Sequence, residues 1–412
     1  MLTDRGRSLL ALGGVTYLAA WAFGARPLYP VALGLVLAVT AAAGWVRVLR
    51  RPMTLRRPPS EAEHLAGDDV PVQLDLDVEG GLPPASLVAR ERIARLGDHE
   101  ARLERRQGRL QGRYVLPAVP RGRYPIESSQ VVIEDPFGLE RVEIDLARNE
   151  ALLVYPRLVD LDGLFSDAGG QTPGGRRLLL RRTSGFEVHS VREYEQGESL
   201  RRVHWPSTAR RGELMVKELE DAPRDETAVL LDADGTTVAG EPPETTFELG
   251  VRVAGSIAKA HARRGRRTSL IVNSRSHAYQ RIHSLDGDWQ RALELLASVE
   301  PDGHVPAATL LANETGPAAR ALDVTVVTAG ISSRLVDRLL QRTIGHQAAA
   351  IVYVDPASFA GSGRRDPRAS GQLVRLGRAG IPVVVVGRGD DLGAKLSAAP
   401  VAASAVRRAV HG

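Results

Sequence analysis

Two uncharged apolar runs, residues 8–25 and 27–46, stand at the start of the chain, separated only by Arg26. As helices rising 1.5 Å per residue they reach roughly 27 and 30 Å, about what a bilayer core requires. Arg26 and Pro27 mark a turn between them. Trp21 and Trp45 fall near the span ends, where an amphipathic ring prefers the interface. The runs predict a transmembrane helical hairpin. Arg5 and Arg7 precede it, and Arg47, Arg50, Arg51, Arg56 and Arg57 follow it, whereas the turn has Arg26 alone. Arginine at both ends places them in the cytoplasm. The expectation is a multi-pass protein of the cell membrane, with two helices in the lipid and the bulk of the chain cytoplasmic. A cleaved signal peptide also joins a basic start to an apolar run, but a second run follows at once with no mature domain between. Neither run has a polar face, which disfavours a buried hairpin.

This placement accounts for the charge. The net charge is +5, and residues 1–60 hold eight arginines against one aspartate. The remainder is therefore slightly acidic, so the basic balance is a topology signal and no nucleic-acid partner is indicated. The chain has no cysteine, which excludes disulfide partners, thiolate metal sites and a cysteine nucleophile.

Residues 61–160 read as a β-rich, sandwich-like domain, either a small β-sandwich or an antiparallel sheet. Val72, Leu74, Leu76 and Val78 alternate with polar residues, as do Val142, Ile144 and Leu146; period-two alternation gives a strand with one buried face. Asp135-Pro136-Phe137-Gly138 is among the turn signals. Residues 161–224 read as a connector, with a flexible glycine-rich stretch over 167–177. Residues 225–412 alternate short apolar strands with amphipathic helices, the pattern of an α/β domain whose parallel sheet is covered on both faces. The fold class is thus multidomain: membrane hairpin, β-sandwich-like domain, C-terminal α/β domain.

The most distinctive stretch is 185–221. It contains Arg192-x-Tyr194, Gly197-Glu198, Arg201-Arg202, Trp205, Ala209-Arg210 and Leu214-x-Val216. Residues 176–217 carry ten basic against five acidic side chains. Trp205 can anchor the compact part of this stretch against a core. Arginines and glutamates mix here, so an ion-paired structural loop and a partner-binding surface are both open readings. A nucleotide pocket ranks lower because no glycine-rich phosphate loop is present.

In order and spacing the stretch resembles the bacterial domain-of-unknown-function family fifty-eight. Glu198 stands where that family has aspartate, and Pro206 follows the tryptophan where a basic residue is frequent. The resemblance implies a membrane-anchored protein with a C-terminal von Willebrand factor A-like domain. It also implies partnership with a MoxR-type AAA+ ATPase in assembling or remodelling an envelope complex. On this reading Arg192, Tyr194, Gly197, Glu198, Arg201, Arg202, Trp205, Ala209, Arg210, Leu214 and Val216 form the signature or partner-binding set.

A domain of the A type carries an Asp-x-Ser-x-Ser metal motif after its first strand. Here Asp232-Ala-Asp234-Gly-Thr236 occupies that place. Mg²⁺ needs a carboxylate and hydroxyls around an open position. Asp234 and Thr236 stand for the serines, and Thr328 follows a later strand without an aspartate. Asp355 could substitute only if the loops allow. The simpler reading is an acidic turn, with no cofactor. There is no His-Glu-x-x-His pair and no Gly-x-Ser-x-Gly elbow. The expected function is therefore a non-enzymatic interaction protein. The alternative is a metal-dependent hydrolase using Asp232 and Asp234.

Overall fold

The computed structural model describes residues 1–49, 51–58, 63–78, 86–106, 109–146, 150–165, 188–193, 204–219, 227–313, 315–345, 347–360 and 366–397. It divides into two compact units, Met1–Tyr155 and Pro156–Gly412.

The first unit opens with two helices, α1 (Asp4–Phe23) and α2 (Leu28–Val48). Thr3 caps α1, its side chain accepting from Gly6 N, and Gly24 ends it at φ 63°; both devices satisfy otherwise orphaned backbone groups. The helices pack on each other: Tyr17 and Tyr29 meet edge to face, and a Cβ on Gly13 would lie 3.3 Å from Val36 Cγ2. Among the described residues α2 alone is long and apolar enough to cross a membrane, with a mean hydropathy of 1.9. α1 takes Asp4, Arg5 and Arg7 into its first turns. The outer surfaces of both helices are apolar all the same: Val15, Leu18, Trp21, Phe23, Leu33 and Leu37 are exposed.

Eight strands follow: β1 (Met53–Arg56), β2 (Val70–Val78), β3 (Ser86–Ile93), β4 (Gly97–Arg106), β5 (Arg109–Leu116), β6 (Gly122–Glu134), β7 (Arg141–Asp145) and β8 (Ala151–Val154). They form one antiparallel sheet in the order β1-β2-β5-β4-β3-β6-β7, with β8 also paired to β6. Of the two expected forms, β-sandwich or antiparallel sheet, the unit has the antiparallel sheet. Strands β1, β2 and β3 bury alternate residues, and the buried set of the sheet forms a cluster that includes Leu55, Leu74, Ala89, Leu103, Leu116 and Ile133. A sheet with one apolar face that faces no second layer must curl over that face to bury it. Gly112 marks the curl. It sits beyond the short β4–β5 register, and a Cβ there would lie 2.8 Å from Leu103 Cδ2 and 3.1 Å from Ala101 Cβ. Gly112→Ala is expected to destabilise this unit by about 1 kcal/mol through overpacking. Chemical denaturation of the full chain in detergent checks it; an unchanged or raised midpoint would show that the close approach is not needed.

The buried face also takes in charge. Glu91 of β3 is 1% exposed. It accepts from Tyr114 Oη at 2.7 Å and Ser129 Oγ at 3.0 Å, and it pairs with the Arg57 guanidinium, which also reaches Glu150.

The second unit begins where the sequence suggests a connector, yet residues 157–165 belong to its core. Phe165 is fully buried, Val159 N donates to Ser256 Oγ at 2.9 Å, and Asp160 pairs with Lys259 at 2.8 Å. A small ribbon of β9 (Val188–Glu193) and β10 (Met215–Leu219) follows, with helix α3 (Trp205–Arg211) between its strands in sequence.

The central sheet of this unit is built from β11 (Thr227–Leu231), β14 (Thr268–Val272), β15 (Tyr279–Ile282), β16 (Asp323–Thr328), β17 (Ala348–Val354) and β18 (Val383–Val386). A two-stranded turn, β12 (Gly240–Glu241) and β13 (Glu244–Thr245), precedes the first long helix. The order is β15-β14-β11-β16-β17-β18. All neighbours are parallel except β15, an antiparallel edge. Helices α4 (Thr246–Arg263), α5 (Trp289–Ser298), α6 (Ala307–Ala312), α7 (Pro317–Arg320), α8 (Ser333–Ile344), α9 (Pro367–Arg378) and α10 (Leu392–Ser397) cover it. Successive residues of each strand feed opposite faces. Val229 and Leu231 join α4 and α5 in one cluster, whereas Ala228 and Leu230 join α8 and α9 in the other. All five residues of β11 are buried, as a doubly covered central strand requires.

Candidate functional site

The strand order of the second unit reverses direction between β11 and β16. In open α/β sheets a crevice forms at that point, beyond the carboxyl ends of the strands. The loops leaving β11, β14 and β16 meet there. Asp232 is the first residue past β11, and its N–H continues the parallel pairing by donating to Val327 O at 2.9 Å. Its carboxylate is held from two sides. Asn273 Nδ2, just past β14, donates to Oδ1 at 2.7 Å, and Thr328 Oγ1, at the end of β16, lies 2.7 Å from Oδ2. Asn273 is itself fixed: its second N–H meets Val305 O at 2.8 Å and its Oδ1 accepts from Ala233 N. The result is a polar knot that ties three adjacent strand ends together. Burial pushes the Asp232 carboxyl above the ordinary carboxylate range, the nearby Asp234 adds to this, and the hydrogen bonds from Thr328 and Asn273 oppose it.

Asp234 and Thr236, the other two residues of the predicted metal set, face each other. Asp234 Oδ1 accepts from Thr236 N at 2.9 Å and from Thr236 Oγ1 at 2.7 Å. Neighbouring atoms close in around the loop: a Cβ on Gly303 would lie 2.4 Å from the backbone Asn273 O, and one on Gly330 would lie 2.4 Å from the side-chain Thr237 Cγ2. Asp355 follows β17 and caps its own turn, accepting from Ala357 N at 3.2 Å. Among the described residues there is no group of three or more His, Cys, Asp or Glu that could hold a metal. The three predicted ligands are thus near one another, but each already has a protein partner. Asn273 was invisible to the motif reading; its one signal is an amide directly after an apolar strand, at the ligand edge.

The signature stretch is reached only in part. Tyr194, Gly197, Glu198, Arg201 and Arg202 lie outside the described residues. Arg192 of β9 and Val216 of β10 are brought opposite each other by the antiparallel register. Trp205, Ala209 and Arg210 lie on α3, which has no buried residue. Gly212 caps it at φ 75°, a left-handed conformation suited to glycine. The helix is tied to β10 by His204 N donating to Met215 O at 2.8 Å and Met215 N donating to Thr208 Oγ1 at 3.0 Å. Trp205 is 65% exposed, so the expected anchoring of its ring in a core is corrected: Met215, 1% exposed, is the buried residue here. Leu214 is also exposed.

The described chain has an apolar N-terminal helix, a curled antiparallel sheet and an α/β unit. The family model described as "Protein of unknown function DUF58" matches residues 190–360, from the ribbon through β17 and its following turn. The chain is 24% identical over 224 residues to the "Uncharacterized protein YeaD" of Bacillus subtilis (strain 168), which covers 54% of each chain. It therefore spans about half the length of that curated relative. Among solved structures, a conjugative transposon lipoprotein from Bacteroides eggerthii is 18% identical, covering 24% of this chain and 98% of that one at a TM-score of 0.15. Cwp6 from Clostridium difficile is 12% identical, covering 84% and 50% at a TM-score of 0.19.

Proposed function

We propose that this is a non-enzymatic, membrane-anchored accessory protein that works with a MoxR-type AAA+ ATPase in assembling or remodelling an envelope complex. In this reading α1 and α2 form a two-span hairpin. Their exposed apolar surfaces support it, since side chains such as Phe23 and Leu33 have no protein partner layer and are suited to lipid. The basic flanks put both units in the cytoplasm. The α/β unit acts as a von Willebrand factor A-like domain, a reading supported by its strand order and by Asp232 at the reversal point. The observation that carries the interaction reading is Trp205. A tryptophan 65% exposed, on a helix that also carries Arg210 and has no buried residue, is the residue type that dominates binding energy at interfaces.

A photo-crosslinkable residue at Trp205, in native membranes, is expected to capture the ATPase. Trp205→Ala and Arg210→Ala are each expected to lower its co-purification with the full chain at least tenfold, the loss of a hot spot of about 2 kcal/mol. Recovery of the ATPase at wild-type levels by both variants would overturn the assignment.

The competing reading is a metal-dependent hydrolase using Asp232 and Asp234. The buried carboxylate with a raised pKa favours it, whereas the completed hydrogen bonds around it do not. Calorimetry with Mg²⁺ and Mn²⁺ decides: heat of binding that vanishes in Asp232→Ala would establish the metal site.

A further inference from the structure

We propose that the turn at residues 135–140 is a second membrane contact of the first unit, and that it seats Phe137 in the headgroup–acyl boundary. The proposal rests on the reading that the N-terminal helices cross the bilayer. It adds a residue of the β6–β7 turn to the lipid-facing surface.

The turn is rigid. Asp135 is 3% exposed; its carboxylate accepts from Phe137 N at 2.9 Å and from Leu139 N and Glu140 N at 2.6 Å each. The turn holds the ring of Phe137 outward, 77% exposed. A single exposed phenylalanine is unremarkable on a soluble surface, so exposure alone decides nothing. Depth does.

The turn is clasped to the helices. Thr3 N donates to Leu139 O at 3.1 Å, and Thr3 Oγ1 donates to Gly138 O at 2.7 Å. At Gly6 a Cβ would lie 2.3 Å from Leu139 O, so only glycine admits this contact. The Leu139 side chain forms a small core with Val39 and Ala42, against which Leu2, Leu9 and Leu10 pack. Leu139 therefore stands level with Gly6 on α1 and with Val39 and Ala42 on α2. From the helical turn, those levels lie about 27 Å along α1 and about 17–21 Å along α2 at 1.5 Å per residue. A hydrocarbon core is about 30 Å thick. With the turn of the helices at the far face, Leu139 falls in the near half of the hydrocarbon layer, about 3–13 Å below its surface. Phe137 is two residues away, within about 7 Å. At the Cβ position of Gly138, Glu134 Oε1 lies 3.0 Å away and Arg5 Nη1 3.6 Å, so an acidic and a basic side chain flank the turn. An aromatic ring with polar, charged neighbours is suited to the interface.

The chain has no cysteine, so Phe137→Cys and Leu37→Cys each carry a single nitrobenzoxadiazole label. Leu37 is 55% exposed on α2 and serves as the lipid-facing reference. The full chain is reconstituted in vesicles of phosphatidylethanolamine and phosphatidylglycerol, with lipids spin-labelled either near the headgroup or at mid-chain. The label at 137 is expected to be quenched at least twofold more by the shallow spin label than by the deep one. The label at 37 is expected to be quenched by the deep one. Quenching at 37 with none at 137 overturns the proposal and leaves the membrane reading intact. Absence of quenching at both sites overturns both.

Discussion

Glu91→Ala will cost the first unit about 3 kcal/mol of stability, because it removes the fully buried partner of the Arg57 guanidinium, which then keeps Glu150 and Ser129. Arg57 is 16% exposed and its principal partner is fully buried. Alanine removes that carboxylate and leaves Tyr114 Oη and Ser129 Oγ without the acceptor they share. The pair itself supplies little net stability, since desolvation offsets most of the attraction; the cost arises from breaking one half of it. Two consequences separate this account from a simple packing defect. Glu91→Gln keeps an acceptor for the hydroxyls and should lose less than Glu91→Ala. Joining Glu91→Leu with Arg57→Met, which removes both charges together, should recover much of the loss. Hydrogen exchange of the β3 and β6 amides in detergent-solubilised full chain is the measurement. A loss under about 1 kcal/mol for Glu91→Ala would show that water reaches the cluster.

The same residues show where the sequence was legible and where it was not. Alternation in β2 and β7 revealed which strands bury one face, because period-two burial is a local property. It could not reveal that the strands form one curled sheet, since curling depends on non-local approaches such as Gly112 against Ala101. Arg57 was counted among the arginines flanking the membrane runs, on charge alone. Pairing with Glu91 takes it into the sheet core, and Arg56 pairs with Asp77, so the flank offers lipid fewer free charges than the count implies. Glu91 itself gave a readable signal: it occupies an inward position between Ala89 and Ile93, where an apolar residue belongs. In the second unit, continuous apolar strands announced the parallel sheet, and the position of Asp232 after β11 announced its ligand edge. Asn273 escaped notice because its role is set by the neighbouring strand end, 41 residues from Asp232. Trp205 was read as a core anchor because tryptophan is mostly buried; its exposure follows from a seven-residue helix in which only the Ser207–Thr208 side leans on β10.

Asp232→Ala is expected to destabilise the second unit by about 2 kcal/mol, by leaving an Asn273 N–H buried without a partner. Thr328 is spared, because its hydroxyl already lies 2.7 Å from Gly330 O. The more telling effect is on pH dependence. Burial raises the Asp232 pKa above its ordinary value of 3.8, so folding disfavours its ionisation. Stability from this group is complete below the unfolded-state pKa and declines as pH rises through the folded-state value. The wild-type unit should therefore lose stability over an interval that begins near pH 3.8 and extends upward. Asp232→Asn, which cannot ionise and keeps an acceptor for Asn273, should flatten that interval and stand above wild type at neutral pH. Asp232→Ala should flatten it too, but from a lower level. Hydrogen exchange at β11 and β16, taken at a series of pH values, distinguishes the three curves. If the wild-type and Asp232→Asn curves run parallel, the carboxylate titrates as if exposed, and the polar knot does not govern this edge of the sheet. If they diverge as expected, Asp232 remains a desolvated group whose hydrogen bonds hold three strand ends together, and any partner or cation that enters this crevice must first compete with Asn273 and Thr328 for it.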